Sequence, residues 1–123
     1  MPIIKNDETT AIAFRDGYQL HRLAGAAQGL RCAVSISVVE PGAGAPLHVH
    51  PDVDEVLVVL ARTLDVRLGD ERHQVGPDHT LAIPRGVPHA FTAITPARVL
   101  GFLPALNAIA STTYLEGGPP RLA

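Results

Sequence analysis

Two histidines one residue apart, His48 and His50, are followed closely by Glu55 and, much later in the chain, by His89. On an extended strand residues i and i+2 point to one side, so His48 and His50 offer two imidazoles to a common space. Glu55 stands at an odd offset from His50 and would leave that face if the strand ran on. Pro51 prevents this, because it has no N–H for a ladder and opens the turn-like run Pro51-Asp52-Val53-Asp54. The chain can then reverse and return Glu55 to the same space at the start of the next strand. His89 follows a turn built from Pro84, Gly86 and Pro88, which would hold its imidazole in one place. Three neutral imidazoles and one carboxylate are donors of intermediate hardness. They suit one divalent transition metal ion (Fe, Mn, Co, Ni, Cu or Zn) and match Ca or Mg poorly. An ion held this way keeps one or two positions open for water, oxygen or a bidentate substrate. A His-x-His pair alone has little specificity, since such pairs often face solvent or satisfy a carbonyl. The later carboxylate and the Pro-x-Gly-x-x-His turn give the pattern its weight.

The elements that must position these groups are short strands. Gly 11 and Pro 11 in 123 residues interrupt regular structure often, while 46% hydrophobic residues supply a core. From about Gln19 to Phe102, short apolar runs alternate with turn signals, as in an antiparallel sandwich or barrel. Strands are expected at Gln19–Leu23, Arg31–Val39, Val56–Leu60, Leu64–Leu68, His73–Val75, Thr80–Ile83, His89–Ile94 and Arg98–Leu103. Helix is expected only at Leu23–Leu30, weakened by Gly25 and Gly29, and at Pro104–Ser111, where Pro104 suits the first helical position. Gly117-Gly118-Pro119-Pro120 ends regular structure and leaves a frayed tail. No repeat or linker divides the chain, so residues 1–123 read as one domain, with a core at about 19–103 and a tail at 104–123.

Gly42-x5-His48-x-His50-x4-Glu55 resembles the first cupin motif, and Pro84-x-Gly86-x2-His89 resembles the heart of the second. The resemblance spans roughly Arg31 to Leu103. It implies an all-β fold, the double-stranded β-helix or jelly-roll barrel of a single-domain cupin, with His48, His50, Glu55 and His89 matching the family's metal ligands. Three positions depart from the pattern. Arg62 and Asp78 stand where the motifs usually carry glycine, and Ala93 stands where the second usually ends in asparagine. Arg62 would then need positive φ at some cost. His21, His73 and His79 lack companion spacing and are expected at the surface. Cys32 is expected as a small buried hydrophobe beside Val34, Ile36 and Val38.

By resemblance the chain is similar to small quercetin-dioxygenase-like cupins. That likeness implies an oxidoreductase in which the metal binds an enolic or catecholic oxygen beside dioxygen, with Glu55 as ligand and proton acceptor. The same ligands would serve a non-redox isomerase, cyclase or lyase, or a non-catalytic ligand-binding module. Leu57, Val59, Phe91 and Phe102 are the expected pocket walls, suiting a small, largely apolar or aromatic substrate. Parity leaves open whether Ser35 and Ser37 or Val34 and Ile36 face inward. A net charge of −2 without a basic cluster argues against nucleic acid. The N-terminal MPIIKNDETT has no apolar stretch, and no window suits a membrane span, so neither a signal peptide nor an anchor is expected. The single cysteine fits a reducing, cytoplasmic setting. Val56–Leu60 and Val99–Leu103 need cover on both faces, which a homodimer would supply.

Overall fold

A computed structural model describes residues 3–104 and 111–120. Eleven strands run through the described residues: β1 (Ala11–Arg15), β2 (Tyr18–Ala24), β3 (Ala33–Val39), β4 (Gly44–Val49), β5 (Glu55–Ala61), β6 (Leu64–Leu68), β7 (Glu71–Val75), β8 (Thr80–Ile83), β9 (His89–Ala93), β10 (Ala97–Leu103) and β11 (Thr113–Tyr114). They form two antiparallel sheets, ordered β1-β2-β3-β10-β5-β8 and β11-β4-β9-β6-β7. The architecture is the all-β jelly roll, with the sheets' inner faces enclosing the core. Alternation decides the packing. On β5, Leu57 and Val59 are buried while Leu60 is exposed; on β10, Ala97 and Val99 are buried while Arg98 is exposed. Leu64, Val66, Leu81 and Ile83 fill the space beneath them.

Two expectations fail for local reasons. Leu23–Leu30 is not a helix: Leu23 and Ala24 continue β2, and only Ala26–Gln28 makes a single 3-10 turn. Gly29 ends that turn in the left-handed region at φ 78°, so the flanking glycines leave too short a run for helix to propagate. The sheets also extend beyond 19–103. β1 pairs with β2 ahead of the expected first strand, and β11 pairs with β4, so part of the supposed frayed tail is ordered on a sheet edge. Residues 105–110, the body of the expected second helix, lie outside the described residues.

Arg62 and Asp78 do adopt left-handed conformations, φ 67° and 64°. The backbone thus keeps the geometry that glycine would accept freely, at a cost of about 1 kcal/mol for Arg62. No helix among the described residues is long and apolar enough to cross a membrane.

Candidate metal centre

The four donors come from both sheets. His48 lies near the end of β4, and its Cα partner across the ladder is His89, the first residue of β9. Between Ala45↔Phe91 and His48↔His89 the register slips, with one extra residue on β4. That bulge falls at Pro46 and Leu47, and Pro46 has no N–H to lose there. It also lets Ala45 and His48 both face inward, although their spacing on a regular strand would oppose them. His50 follows the strand, and the Pro51–Asp54 turn carries the chain to the other sheet, where Glu55 opens β5. The loops bearing the donors are tied together. Gly86 N–H donates to the His50 carbonyl at 2.8 Å, and the Arg85 N–H and guanidinium both donate to the exposed Asp54 carboxylate.

The donor atoms of His48, His50, Glu55 and His89 lie within 4.8 Å of one another, and all three histidines are buried. His48 Nδ1–H donates to the Pro46 carbonyl at 2.7 Å and His89 Nδ1–H to the Val87 carbonyl at 2.9 Å. A carbonyl only accepts, so each neutral ring carries its proton on Nδ1 and turns the Nε2 lone pair inward. His50 Nδ1 is held by Thr112 Oγ1 at 2.8 Å, and its Nε2 is buried without a hydrogen-bond partner. Glu55 Oε1 stands 3.1 Å from His89 Nε2 and 3.4 Å from His50 Nε2.

These distances fit an ion. Two donors each ~2.1 Å from a metal are ~3.0 Å apart at a right angle and ~3.4 Å apart at the tetrahedral angle. Without a cation, inward lone pairs would face a carboxylate oxygen. The residues present therefore suit a single divalent transition metal ion.

Electrostatics keep the donors in ligating form. Burial of Glu55 works to raise its pKa, but the His50 and His89 imidazoles facing its carboxylate outweigh it and hold the carboxyl well below the usual range. Burial pulls His48 down to about 4, helped by the His89 charge and opposed by its bond to the Pro46 carbonyl. At neutral pH Glu55 is ionised and His48 is neutral.

The centre opens into a cavity that offers about 80 Å³ to the centres of water-sized molecules. Leu57 and Phe91 line it; Val59 and Phe102 do not. Val59 is buried deeper in the core, and Phe102 is 40% exposed on the outer face, because Gly101 and Leu103 hold the inward parity on β10. Ser35 and Ser37, rather than Val34 and Ile36, face inward, and Ser37 makes a 2.6 Å hydrogen bond with the Tyr18 hydroxyl. Cys32 is half-buried outside the core. His73 and His79 are exposed, His21 is half-buried beside Thr9, and none of the three lines the cavity.

Sequence reasoning missed Phe14, Arg15, Tyr18, Thr112 and Tyr114, all of which line this cavity. The β-branched and aromatic run Thr112-Thr113-Tyr114 was the available signal for the last two.

Residues 35–102, more than half the chain, match the family model of the cupin domain. The chain belongs to the cupin family. Among solved structures, this cupin is similar to the sugar phosphate isomerase of the cupin superfamily from Silicibacter pomeroyi, at 28% identity and a TM-score of 0.74, over 83% of this chain and 74% of that one. It is similar to the polyketide cyclase RemF from Streptomyces resistomycificus, at 25% identity and a TM-score of 0.75, over 84% and 78% of the two chains. KdgF from Halomonas sp. shares the fold at 20% identity and a TM-score of 0.76, over 83% and 93%. No curated protein matches this cupin.

Proposed function

We propose that this cupin is a metal-dependent enzyme catalysing a non-oxidative isomerisation, cyclisation or lyase step on a small organic substrate with an enolisable carbonyl. One observation carries this reading: the four metal donors share a cavity with apolar walls and a hydroxyl pair, Tyr18 and Ser37. His48, His50, His89 and Glu55 hold the ion, which supplies Lewis acidity toward a substrate carbonyl. Phe14, Leu20, Leu57 and Phe91 exclude water and pack against the substrate's carbon skeleton. Among the described residues Glu55 is the one carboxylate lining the cavity, and it takes up the substrate proton. Support comes also from the similar structures at 25% identity or more, a cyclase and an isomerase.

The flavonol-cleaving dioxygenase reading uses the same donors and differs in its need for oxygen. Protein stripped of metal and reloaded with Mn, Fe, Ni or Zn separates the two. Under strict anaerobiosis in D2O, NMR should show deuterium entering the α-carbon of enolisable ketones. The exchange should disappear in Glu55→Gln, with bound metal quantified in parallel. Conversion that begins only when oxygen is admitted would make this cupin a dioxygenase. Ligand binding with neither exchange nor conversion would make it a binding module.

The chain also forms a homodimer through the outer face of the six-stranded sheet. There Val34, Phe102 and Val56 stand in one cross-strand row and Leu100 and Val58 in the next, beside the already buried Ile36. Phe102, Val38 and Leu60 of this face remain 40%, 37% and 44% exposed. A contiguous apolar face of this kind calls for cover by a second protein surface.

A further inference from the structure

Two buried side-chain polar atoms among the described residues lack a hydrogen-bond partner, and both belong to residues lining the one cavity. His50 Nε2 is accounted for by the ion. The other is Arg15 Nε.

Arg15 reaches the cavity through an irregularity. β1 and β2 pair in register from Ala11↔His21 to Ala13↔Gln19, and the register then shifts to Arg15↔Tyr18. Strict alternation would send one of Phe14 and Arg15 outward; with the shift, both line the cavity. The side chain is fixed there, with Nη2 donating to the Gly118 carbonyl and Cζ 5.1 Å from the centroid of the Tyr114 ring. The same Tyr114 ring stacks 5.6 Å from His48, so a single aromatic ring bridges the guanidinium and the metal donors. Among the described residues no carboxylate pairs with Arg15, and no other lysine or arginine lines the cavity. A guanidinium held beside apolar walls with a donor left over is built to receive an oxyanion.

We propose that Arg15 is the specificity-determining residue of this site, and that the substrate is a monoanion whose carboxylate meets Arg15 while a second oxygen faces the metal donors. A divalent ion with Glu55 leaves one net positive charge at the metal end for the second oxygen, and Arg15 supplies one charge at the other end for one carboxylate. The inference rests on the reading of this cavity as the substrate site, but its test needs no turnover.

The probes are 3-benzoylpropionate, its neutral amide and phenyl phosphate, titrated by calorimetry into zinc-loaded protein. The carboxylate should bind at least tenfold more tightly than the amide and more tightly than phenyl phosphate. Arg15→Gln should bring the carboxylate and amide within twofold of each other while zinc content stays unchanged, and Arg15→Lys should keep part of the preference. Equal affinity for acid and amide in the unaltered protein overturns the proposal without any variant. So does a preference that survives Arg15→Gln, which would mean that the metal alone receives the anion, and so does tighter binding of the dianion. Each of these failures leaves the anaerobic exchange result standing, and failure of that exchange leaves the carboxylate preference measurable.

Discussion

Gly44 is the position where one added methyl group should do most harm to both the fold and the metal centre. A Cβ there would stand 1.9 Å from the Phe91 carbonyl oxygen, 2.8 Å from its carbon and 2.9 Å from Thr92 Cα, all backbone atoms. A carbon and a carbonyl oxygen approach no closer than about 3.3 Å, so β4 and β9 must part by roughly 1.4 Å. The adjoining bonds Gly42 N–H to Ala93 O and Ala93 N–H to Ala43 O, both 2.8 Å, lie on the same ladder. Stretched to about 4 Å they cease to be hydrogen bonds. Two such bonds at about 1 kcal/mol each, with overpacking strain of about 1–2 kcal/mol, give roughly 3–4 kcal/mol for Gly44→Ala. For a domain of this size that lowers Tm by about 10–15 °C. His48 and His89 sit farther along the same two strands as directly paired residues, so zinc affinity should fall at least tenfold. Gly42→Ala is the control. Its Cβ would meet nothing within 4 Å, and its φ of +85° makes the cost one of conformation alone, about 1–2 kcal/mol, with zinc binding intact. Thermal unfolding and equilibrium dialysis with metal analysis read both quantities. Gly44→Ala within 3 °C of the parent (about 1 kcal/mol) and with unchanged zinc affinity would refute the reasoning.

Three further outcomes follow from other parts of the molecule. Arg62→Gly should raise stability by up to about 0.5 kcal/mol, since relief of the left-handed backbone at φ 67° offsets the added chain entropy; a lower denaturation midpoint would contradict this. Burial, the largest influence on each, raises the pKa of both Tyr18 and Tyr114, and these are the only tyrosines in a chain without tryptophan. The unfolded chain then loses phenolic protons near pH 10 while the native state retains them, so stability is undiminished below that pH and falls as pH rises above it. Absorbance at 295 nm should show less tyrosinate in the folded protein at pH 10 than in the unfolded chain, and both phenols titrating at their ordinary value would sink the claim. Finally, light scattering should give twice 13.0 kDa for the parent and a monomer for Phe102→Glu, which puts a charge on the apolar outer face; a parent monomer would remove the dimer.

What could be read from the sequence depended on whether a strand kept its parity. β5 and β10 alternate without interruption near the site, and Leu57 was placed correctly because its strand is regular. The histidine pair was legible for the same reason, as His48 and His50 need only local extension to point one way. The Pro51–Asp54 turn offered Glu55 a way back to that space and the turn of Pro84, Gly86 and Pro88 a fixed place for His89, and the family resemblance added weight to joining two stretches so far apart in the chain. The irregular places were lost. The bulge in β4 turns Ala45 and His48 to the same side, and the register shift in β1 turns Arg15 inward; neither leaves more trace in composition than a proline or a short alternating run. Phe102 failed differently: its size suggested a wall, but parity with Gly101 and Leu103 put it outside.

The C-terminal segment shows how far such a miss can matter. Its Gly-Pro composition reads as a loose end, yet three of its contacts bear on the centre. Thr112 Oγ1 hydrogen-bonds His50 Nδ1, Tyr114 stacks on His48, and the Gly118 carbonyl holds the Arg15 guanidinium. β11 contributes only two ladder residues, Thr113 and Tyr114, so sheet pairing alone holds it weakly. Backbone bonds from the Leu115 and Glu116 N–H groups to the Leu47 carbonyl add to it, as do contacts with the metal-binding histidines. The coupling must run in both directions: whatever orders His50 and His48 around an ion also orders the segment that closes the cavity beside Arg15.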